Sequence, residues 1–170
     1  MNTEIDSPSS PELKPAIRLL TWLTACYCFS LVGYIGTSYS QGLWFWYVSQ
    51  RRPAWNPPNW SVTPVWTILY GLMGFASWAV WNSPACRSRT ITLGAFFVQL
   101  TLTAAWPWVL FALHRTGAAV ILLFILWMVS ILVTILFWRI NPKSGALMTP
   151  PTVWTGFTAI LTLVVWQLNR

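Results

Sequence analysis

The sequence WFWYVSQRRPAWNPPNWSVTPVWTILYGLMGFASWAVW, residues 44–81, holds seven of the fourteen tryptophans in the chain. Within it, a short aromatic loop with several prolines leads directly into an uncharged apolar helix. The indole ring is apolar but its N–H group needs a polar partner, so tryptophans concentrate where helices meet the membrane–water interface. The same flat rings can stack on a conjugated ligand. This stretch therefore predicts a membrane location and a candidate binding surface.

Charge is scarce along the whole chain. Apolar residues make up 56% of the 170 residues and charged residues only 8%, whereas a water-soluble domain carries about 25%. The acids Glu4, Asp6 and Glu12 all lie near the N-terminus, and no side-chain carboxylate follows them. Ion-coupled transport uses ionisable side chains inside the membrane, and hydrolysis needs a general base. The composition predicts a protein that faces lipid and argues against both of these activities.

Basic residues divide the chain into five uncharged stretches, each with an apolar run of roughly the 20 residues that cross a bilayer. These runs do not alternate with the period of 2 that strands require. We expect an all-α integral membrane protein, a five-transmembrane-helix bundle in one domain, residues 16–170. Residues 1–15 are polar and interrupted by prolines, which is typical of a disordered tail. The helices are predicted near residues 16–38, 63–81, 90–112, 117–138 and 147–168.

The net charge of +7 arises from basic residues that lie singly or in pairs near the predicted helix ends. Such residues anchor helices at lipid phosphates, and they form no continuous stripe for nucleic acid. Six basic residues on the N-terminal side against four on the other favour a cytoplasmic N-terminus. Cys26 and Cys28 point to different helix faces and His114 is the only histidine, so no metal site is predicted.

Residues 52–81 closely resemble the first loop and second helix of the translocator protein family, also called tryptophan-rich sensory proteins (TspO/MBR) or peripheral benzodiazepine receptors. The family pattern there is K-P-x-W-x-P-P-x-W-x-x-x-P-V-W-x-x-L-Y-x-x-M-G-x-A-x-W-x-V-W, with Arg52 here in place of the lysine. The resemblance extends from about residue 20 to the C-terminus. Further matches to the patterns of helices three, four and five are Gln99, Leu100, Leu102, Trp106, Leu126, Trp127, Pro150, Trp154, Phe157, Leu161 and Trp166.

The resemblance implies a five-helix fold, commonly a homodimer, with a cavity for tetrapyrroles. In relatives, the tryptophans that match Trp66 and Trp154 line the tetrapyrrole pocket and are implicated in its oxidative breakdown. They are the candidate catalytic residues if porphyrin is degraded, and no other catalytic residue is predicted. The implied lid consists of Trp55, Pro57, Pro58 and Trp60. The implied ligand-binding residues are Trp55, Trp66, Gln99, Thr103, Trp106, Trp154 and Thr158.

Local geometry adds further expectations for this site. Consecutive prolines restrict the backbone, so the segment WNPPNW is predicted to form a stiff lid over the mouth of the bundle. Trp66 and Trp154 follow Pro64 and Pro151 closely, and we expect both indoles one turn inside the same membrane face, flanking one cavity. An odd number of turns separates helices two and five, from which we expect both helices to begin on the same side of the bilayer. Gln99 and Thr103 would form an i, i+4 polar pair beside them.

Several positions depart from the family pattern. Thr103 and Thr162 replace asparagines, Pro151 replaces a tyrosine, Thr158 replaces an alanine, and Leu122 stands where many members carry an acid. Ligand preference is therefore less transferable than the fold. Pro107 predicts a kink in helix three beside the cavity. The glycine pairs Gly33 with Gly36 and Gly71 with Gly74 predict close helix packing, either within the bundle or in a dimer.

Three functions remain open. The first is a membrane receptor or sensor that binds porphyrin, haem or bilin, and that transports or sequesters it in a stress or light response. The second is an enzyme that degrades porphyrin with light and oxygen. The third is sterol or lipid handling, although the family's C-terminal L/V-x-Y-x-K/R motif is absent because no tyrosine follows Tyr70. A tetrapyrrole is expected as ligand and no cofactor as a requirement. Bacterial envelope and organellar membrane are equally compatible with the sequence.

Overall fold

The computed structural model describes residues 13–38, 46–47, 49–84 and 87–170. Five long helices account for most of this part of the chain, which contains no strand, so the fold is all-α as predicted. A π-helical turn, Trp108–Ala112, extends the third helix. The predicted disordered tail lies outside the described residues, except that residues 13–15 are helical. The helices are α1 (Leu13–Ser38), α2 (Asn59–Trp81), α3 (Arg87–Pro107), α4 (Thr116–Ile140) and α5 (Pro142–Leu168).

Four helices, α1, α3 with its π turn, α4 and α5, are long and apolar enough to cross a membrane. Helix α2 contains four tryptophans among its 23 residues. Large apolar side chains cover the outside of the bundle, where Ile68, Ile121 and Val153 are more than 60% exposed. Apolar surface of this extent is stable against lipid rather than water.

All five helices begin earlier than predicted; α2 and α5 do so by the largest margins, and in both cases the chain supplies a start signal. Helix α5 begins at Pro142 because the side chain of Asn141 accepts a hydrogen bond from the Lys143 N–H at 3.0 Å. Asparagine at the N-cap followed by proline at the first helical position is a favourable helix start. Helix α2 begins directly after Pro58, whose carbonyl accepts hydrogen bonds from the Ser61 N–H and hydroxyl.

The helices pack side by side in a closed ring in the order α1, α2, α5, α4, α3. The largest interface joins α4 to α5, where the hydroxyls of Thr134 and Thr152 lie 2.7 Å apart. Asn169, after α5, forms two 2.9 Å hydrogen bonds with the backbone of Arg51, before α2. The end of α5 therefore lies beside the start of α2, and the two helices are antiparallel.

The expectation that α2 and α5 begin on the same side is therefore wrong. Three connections separate these helices, and each connection reverses the direction of the chain. Because α5 runs from Pro142 to Leu168, Trp154 lies near the middle of its helix, whereas Trp66 lies closer to the start of α2. The two indoles come to the same region from opposite helix directions.

Both glycine pairs serve packing within one chain. Gly33 and Gly36 face α3 and its π turn, and a Cβ atom on Gly36 would lie 2.6 Å from the Trp108 ring. Gly71 and Gly74 face α1, where a Cβ atom on Gly74 would lie 2.7 Å from the Leu23 side chain. Small residues permit this approach, which is the main packing device between helices in lipid.

The end of α3 is widened at the position where Pro107 predicted a kink. Proline has no N–H for the helical ladder, and the chain continues as a π turn in which the Leu113 N–H bonds the Trp108 carbonyl. His114 then leaves the helix with φ at 53°, the only positive φ of a non-glycine residue in the described ranges. The widened turn directs Leu110 and Phe111 toward the interior, where both are buried.

The interior of the ring is filled unevenly. Around the C-terminal half of α2, the side chains of Met73, Phe96, Phe137 and Met148 are at most 1% exposed and pack as one cluster. Tyr70 belongs to this cluster and also lines a cavity toward the start of α2. One half of the bundle is thus a close-packed core, and the other half is hollow.

Candidate ligand-binding cavity

The hollow half of the bundle encloses a cavity of about 570 Å³. Helices α1, α2, α3 with its π turn, and α5 form its walls, and Tyr47, Asn56 and Pro57 close it from the segment before α2. Ligand pockets for small molecules commonly measure about 300 to 1,000 Å³. The cavity is therefore large enough for an extended organic ligand, and the packed core below Tyr70 closes its inner end.

Aromatic rings form two rows along this cavity. In the first row, Tyr47, Phe111, Trp106 and Trp66 follow one another with ring centroids 5.4, 6.1 and 6.3 Å apart. Tyr70 extends this row, because its ring lies 5.9 Å from that of Trp66. Such spacings are typical of favourable aromatic pairs, which hold one another in fixed orientations. The row gives one side of the cavity a continuous aromatic surface.

The second row lies on α5. The Trp154 and Phe157 ring centroids are 5.2 Å apart. The Trp55 ring, from the proline segment (residues 53–58), lies 5.8 Å from that of Phe157. The structure thus brings Trp66 and Trp154 to one cavity, although they do not occupy equivalent helix positions. The Trp154 indole nitrogen is buried without a hydrogen-bond partner among the described residues. An unpaired buried donor costs about 1 to 3 kcal/mol, so a ligand that accepts this hydrogen bond would be stabilised here.

The polar groups in the wall are mainly threonines, and their hydroxyl protons are already used. Each of five hydroxyls donates to the carbonyl four residues earlier, at 2.8 to 3.2 Å. A hydroxyl bound in this way can still accept a hydrogen bond from a ligand. Within the described ranges, the residues that line the wall include no charged side chain, no histidine and no cysteine. These threonines are Thr37, Thr67, Thr103, Thr158 and Thr162.

Five predicted ligand-binding residues line the cavity, and two do not. The Gln99 side chain is only 2% exposed and lies outside the wall, and it is the backbone carbonyl of Gln99 that accepts the Thr103 hydroxyl proton. Trp55 packs on Phe157 without lining the cavity itself. The binding roles of all seven residues stay predictions, because a position in or near the cavity wall does not show contact with a ligand. The lining five are Trp66, Thr103, Trp106, Trp154 and Thr158.

The predicted lid residues occupy different positions. Pro57 lines the cavity directly, whereas Pro58 faces a neighbouring outer cavity. Trp60 belongs to the first turn of α2, is 76% exposed and lies outside the cavity wall. Asn56 fixes the segment, because its backbone N–H bonds the Pro53 carbonyl at 3.0 Å and its side-chain amide bonds Pro57 at 2.8 Å.

The positions that depart from the family pattern are spread around the cavity. Thr103, Thr158 and Thr162 line it, whereas Pro151 is buried within α5. Leu122 packs against the apolar cluster between α3, α4 and α5, outside the cavity wall. The three threonines are therefore the departures that a ligand in the cavity would meet.

Sequence reasoning missed the wall formed by α1. Its members, Ser30, Gly33, Tyr34 and Thr37, recur at i, i+3, i+4 and i+7, which places them on one helix face. That row of small and polar residues on an otherwise apolar helix was the available signal. Phe111 had no such signal, because it reaches the cavity through the π turn after Pro107.

The fold and the site together define a multi-pass α-helical membrane protein with an aromatic-walled internal cavity beneath a proline-rich segment. Residues 21–167 match the model of the TspO/MBR family, and the chain belongs to this family. It is 31% identical to the translocator protein of Bos taurus over 144 residues, which cover 83% of this chain and 85% of the bovine protein.

Bacterial relatives are similar to the same degree. Identity to Protein CrtK of Rhodobacter capsulatus is 32% over 150 residues, covering 87% of this chain and 90% of that protein. Identity to the tryptophan-rich protein TspO of Chlorobaculum tepidum is 30% over 153 residues, covering 86% and 96% of the two chains. The similarity thus spans the whole helical bundle, including every wall of the cavity.

Proposed function

We propose that this protein is a membrane receptor or sensor that binds a tetrapyrrole in the 570 Å³ cavity. The observation that carries the proposal is the pair of aromatic rows facing an uncharged interior. A porphyrin or bilin offers a large conjugated surface and few polar edges, which such walls favour by stacking. The close-packed core below Tyr70 supports retention of the ligand in the bundle rather than free passage through it.

In the same proposal, α2 crosses the membrane together with the other four helices. Helix α2 stands in the ring between α1 and α5, both of which are long and apolar enough to span. A shorter immersion of α2 would leave its apolar outer side chains, such as Ile68 and Phe75, in water. The homodimer implied by the family resemblance also belongs to this proposal.

The binding test removes the two indoles by Trp66→Leu with Trp154→Leu and titrates the protein in detergent with protoporphyrin. A stacked pair adds about 0.5 to 1.5 kcal/mol, so losing two such surfaces predicts an affinity lower by roughly 5- to 150-fold. The control, Trp81→Leu with Trp138→Leu, removes two exposed tryptophans away from the cavity. Both variants keep the same number of emitting tryptophans, so quenching curves compare directly. Equal affinities in the two variants would exclude the cavity as the site.

A second function is oxidative degradation of the bound porphyrin with light and oxygen. The observation that favours it is the first aromatic row, in which oxidisable Trp66, Trp106 and Tyr47 lie in a nearly continuous series. The test is the rate at which porphyrin absorbance bleaches under illumination at saturating porphyrin. Trp66→Phe with Trp154→Phe keeps aromatic surface and lowers indole redox activity, so degradation predicts slower bleaching than in the wild type. Identical rates would reject these indoles as catalytic residues.

A further inference from the structure

A second, open cavity of about 490 Å³ lies beside the first. It is formed entirely by the segment that leads into α2, and Asn56, Pro57 and Asn59 line both cavities. Its character differs from that of the inner cavity, because three of its seven lining residues carry uncharged polar side chains and a fourth, Arg52, is charged. The proline segment is thus a shared wall between an apolar interior and a polar outer cavity.

Among the residues that the structure describes, Arg52 is the only one with a charged side chain that lines either cavity. Its Nη1 donates to the Asn59 Oδ1 at 3.1 Å, and its guanidinium carbon lies 5.9 Å from the centroid of the Tyr47 ring. Both contacts are made with residues that also line the inner cavity. Burial raises the pKa of the Tyr47 phenol and Arg52 opposes this in part, so the phenol stays neutral beneath the cation.

These contacts hold a guanidinium at the boundary of the two cavities. Arginine carries five N–H donors in a planar fork that matches the oxygens of a carboxylate or a phosphate. The described residues of the inner wall include no cation, and an unpaired anion is strongly disfavoured in an apolar interior. An anionic group attached to a ligand in the inner cavity is therefore more stable in the outer cavity, against Arg52.

We propose that the two cavities form one site for an anionic amphiphile, whose apolar body occupies the inner cavity and whose carboxylate or phosphate binds Arg52 in the outer cavity. This inference rests on the proposed function for the position of the ligand body. The anionic group has two possible sources, a free ligand such as a porphyrin with propionate arms or a membrane phospholipid. Both would bind the guanidinium in the same way, and binding assays in detergent and in lipid nanodiscs distinguish them.

The test compares protoporphyrin with its dimethyl ester, which has the same ring and no anionic group, in dodecyl maltoside. We expect wild type to prefer the diacid, and Arg52→Gln to weaken diacid binding about tenfold while ester binding stays within about twofold. Arg52→Lys keeps the charge without the fork and should recover part of the preference. Arg51→Gln is the matched control, since the adjacent Arg51 side chain is exposed and lines neither cavity. It should bind both compounds as wild type does.

A second arm repeats the titrations in nanodiscs with and without phosphatidylglycerol. If a lipid phosphate occupies the outer cavity, phosphatidylglycerol weakens diacid binding to wild type but not to Arg52→Gln. If only the ligand carboxylate occupies it, phosphatidylglycerol changes diacid binding neither to wild type nor to Arg52→Gln. Arg52→Gln then weakens diacid binding equally in detergent and in nanodiscs. An unchanged diacid-to-ester preference in Arg52→Gln, in detergent and in nanodiscs, overturns the inference. If wild type binds neither the diacid nor the ester, the result instead overturns the proposed function.

Discussion

Gly156 lies between Trp154 and Phe157 on α5, and its missing side chain makes room for a tryptophan of α4. A Cβ atom there would lie 2.6 Å from the Trp127 indole nitrogen. Overpacking a tight interface costs about 1 to 3 kcal/mol, so we predict that Gly156→Ala lowers the free energy of unfolding by this amount. Unfolding followed by circular dichroism in detergent measures the change.

Gly94 provides the control for this substitution. It lies on α3 with an exposed position, and a Cβ atom there would meet nothing within 4 Å. Gly94→Ala should leave stability unchanged or raise it by up to about 1 kcal/mol, because alanine is the better helix former. Equal losses in both alanine variants would show that the Trp127 contact does not limit packing.

The residues of the site were predictable where their chemistry is distinctive. Trp66, Trp106 and Trp154 were selected from the sequence and all line the cavity. The family resemblance implied Gln99 as the i, i+4 partner of Thr103, yet Gln99 lies one helical turn closer to the packed core and outside the wall. No local pattern in α3 marks the level at which the packed core ends and the cavity begins.

At the scale of the helices and their connections, Asn169 joins the end of α5 to the segment that covers the cavity. Its side-chain amide accepts from the Arg51 N–H and donates to the Arg51 carbonyl, both at 2.9 Å. A partly exposed hydrogen bond contributes about 0.5 to 1.5 kcal/mol. We predict that Asn169→Ala speeds ligand dissociation about two- to tenfold, measured by stopped-flow quenching.

The control for this prediction is Gln167→Ala. Gln167 is exposed near the same end of α5, and it belongs to neither cavity. Dissociation from this variant should match that from wild type. If Asn169→Ala also releases ligand at the wild-type rate, the two hydrogen bonds between Asn169 and the Arg51 backbone do not control ligand release from the cavity.

Helix identity was easier to predict than helix ends or directions. Uncharged apolar runs located all five helices, because lipid imposes length and composition on a segment that crosses it. The start of α5 at Pro142 was signalled by Asn141 and Pro142, but the apolar run begins later and that run set the prediction. The π turn after Pro107 was predicted only as a kink, because proline removes one N–H from the helix without fixing the hydrogen bonding of the turn that follows.

For the molecule as a whole, the antiparallel arrangement of α2 and α5 follows from three intervening connections, provided that every helix crosses the membrane. Crossing by α2 predicts that positions 49 and 88, which flank it and are exposed, lie on opposite sides. We test this with Ser49→Cys and Ser88→Cys, each in a background in which Cys26, Cys28 and Cys86 are serine. Membrane-impermeant maleimide should label one cysteine in sealed vesicles and the other only after permeabilisation. Labelling of both from the same side would show that α2 does not cross.

The central claim is that the hollow half of the bundle holds a tetrapyrrole between its aromatic rows. Its most direct test is an NMR titration of ¹⁵N-indole-labelled protein with protoporphyrin, because the ring current of a macrocycle shifts the N–H signals of nearby indoles. The account predicts the largest shifts at Trp66, Trp106 and Trp154, with little change at Trp81 and Trp138. The largest shifts at Trp81 and Trp138, with the cavity indoles unmoved, would contradict it.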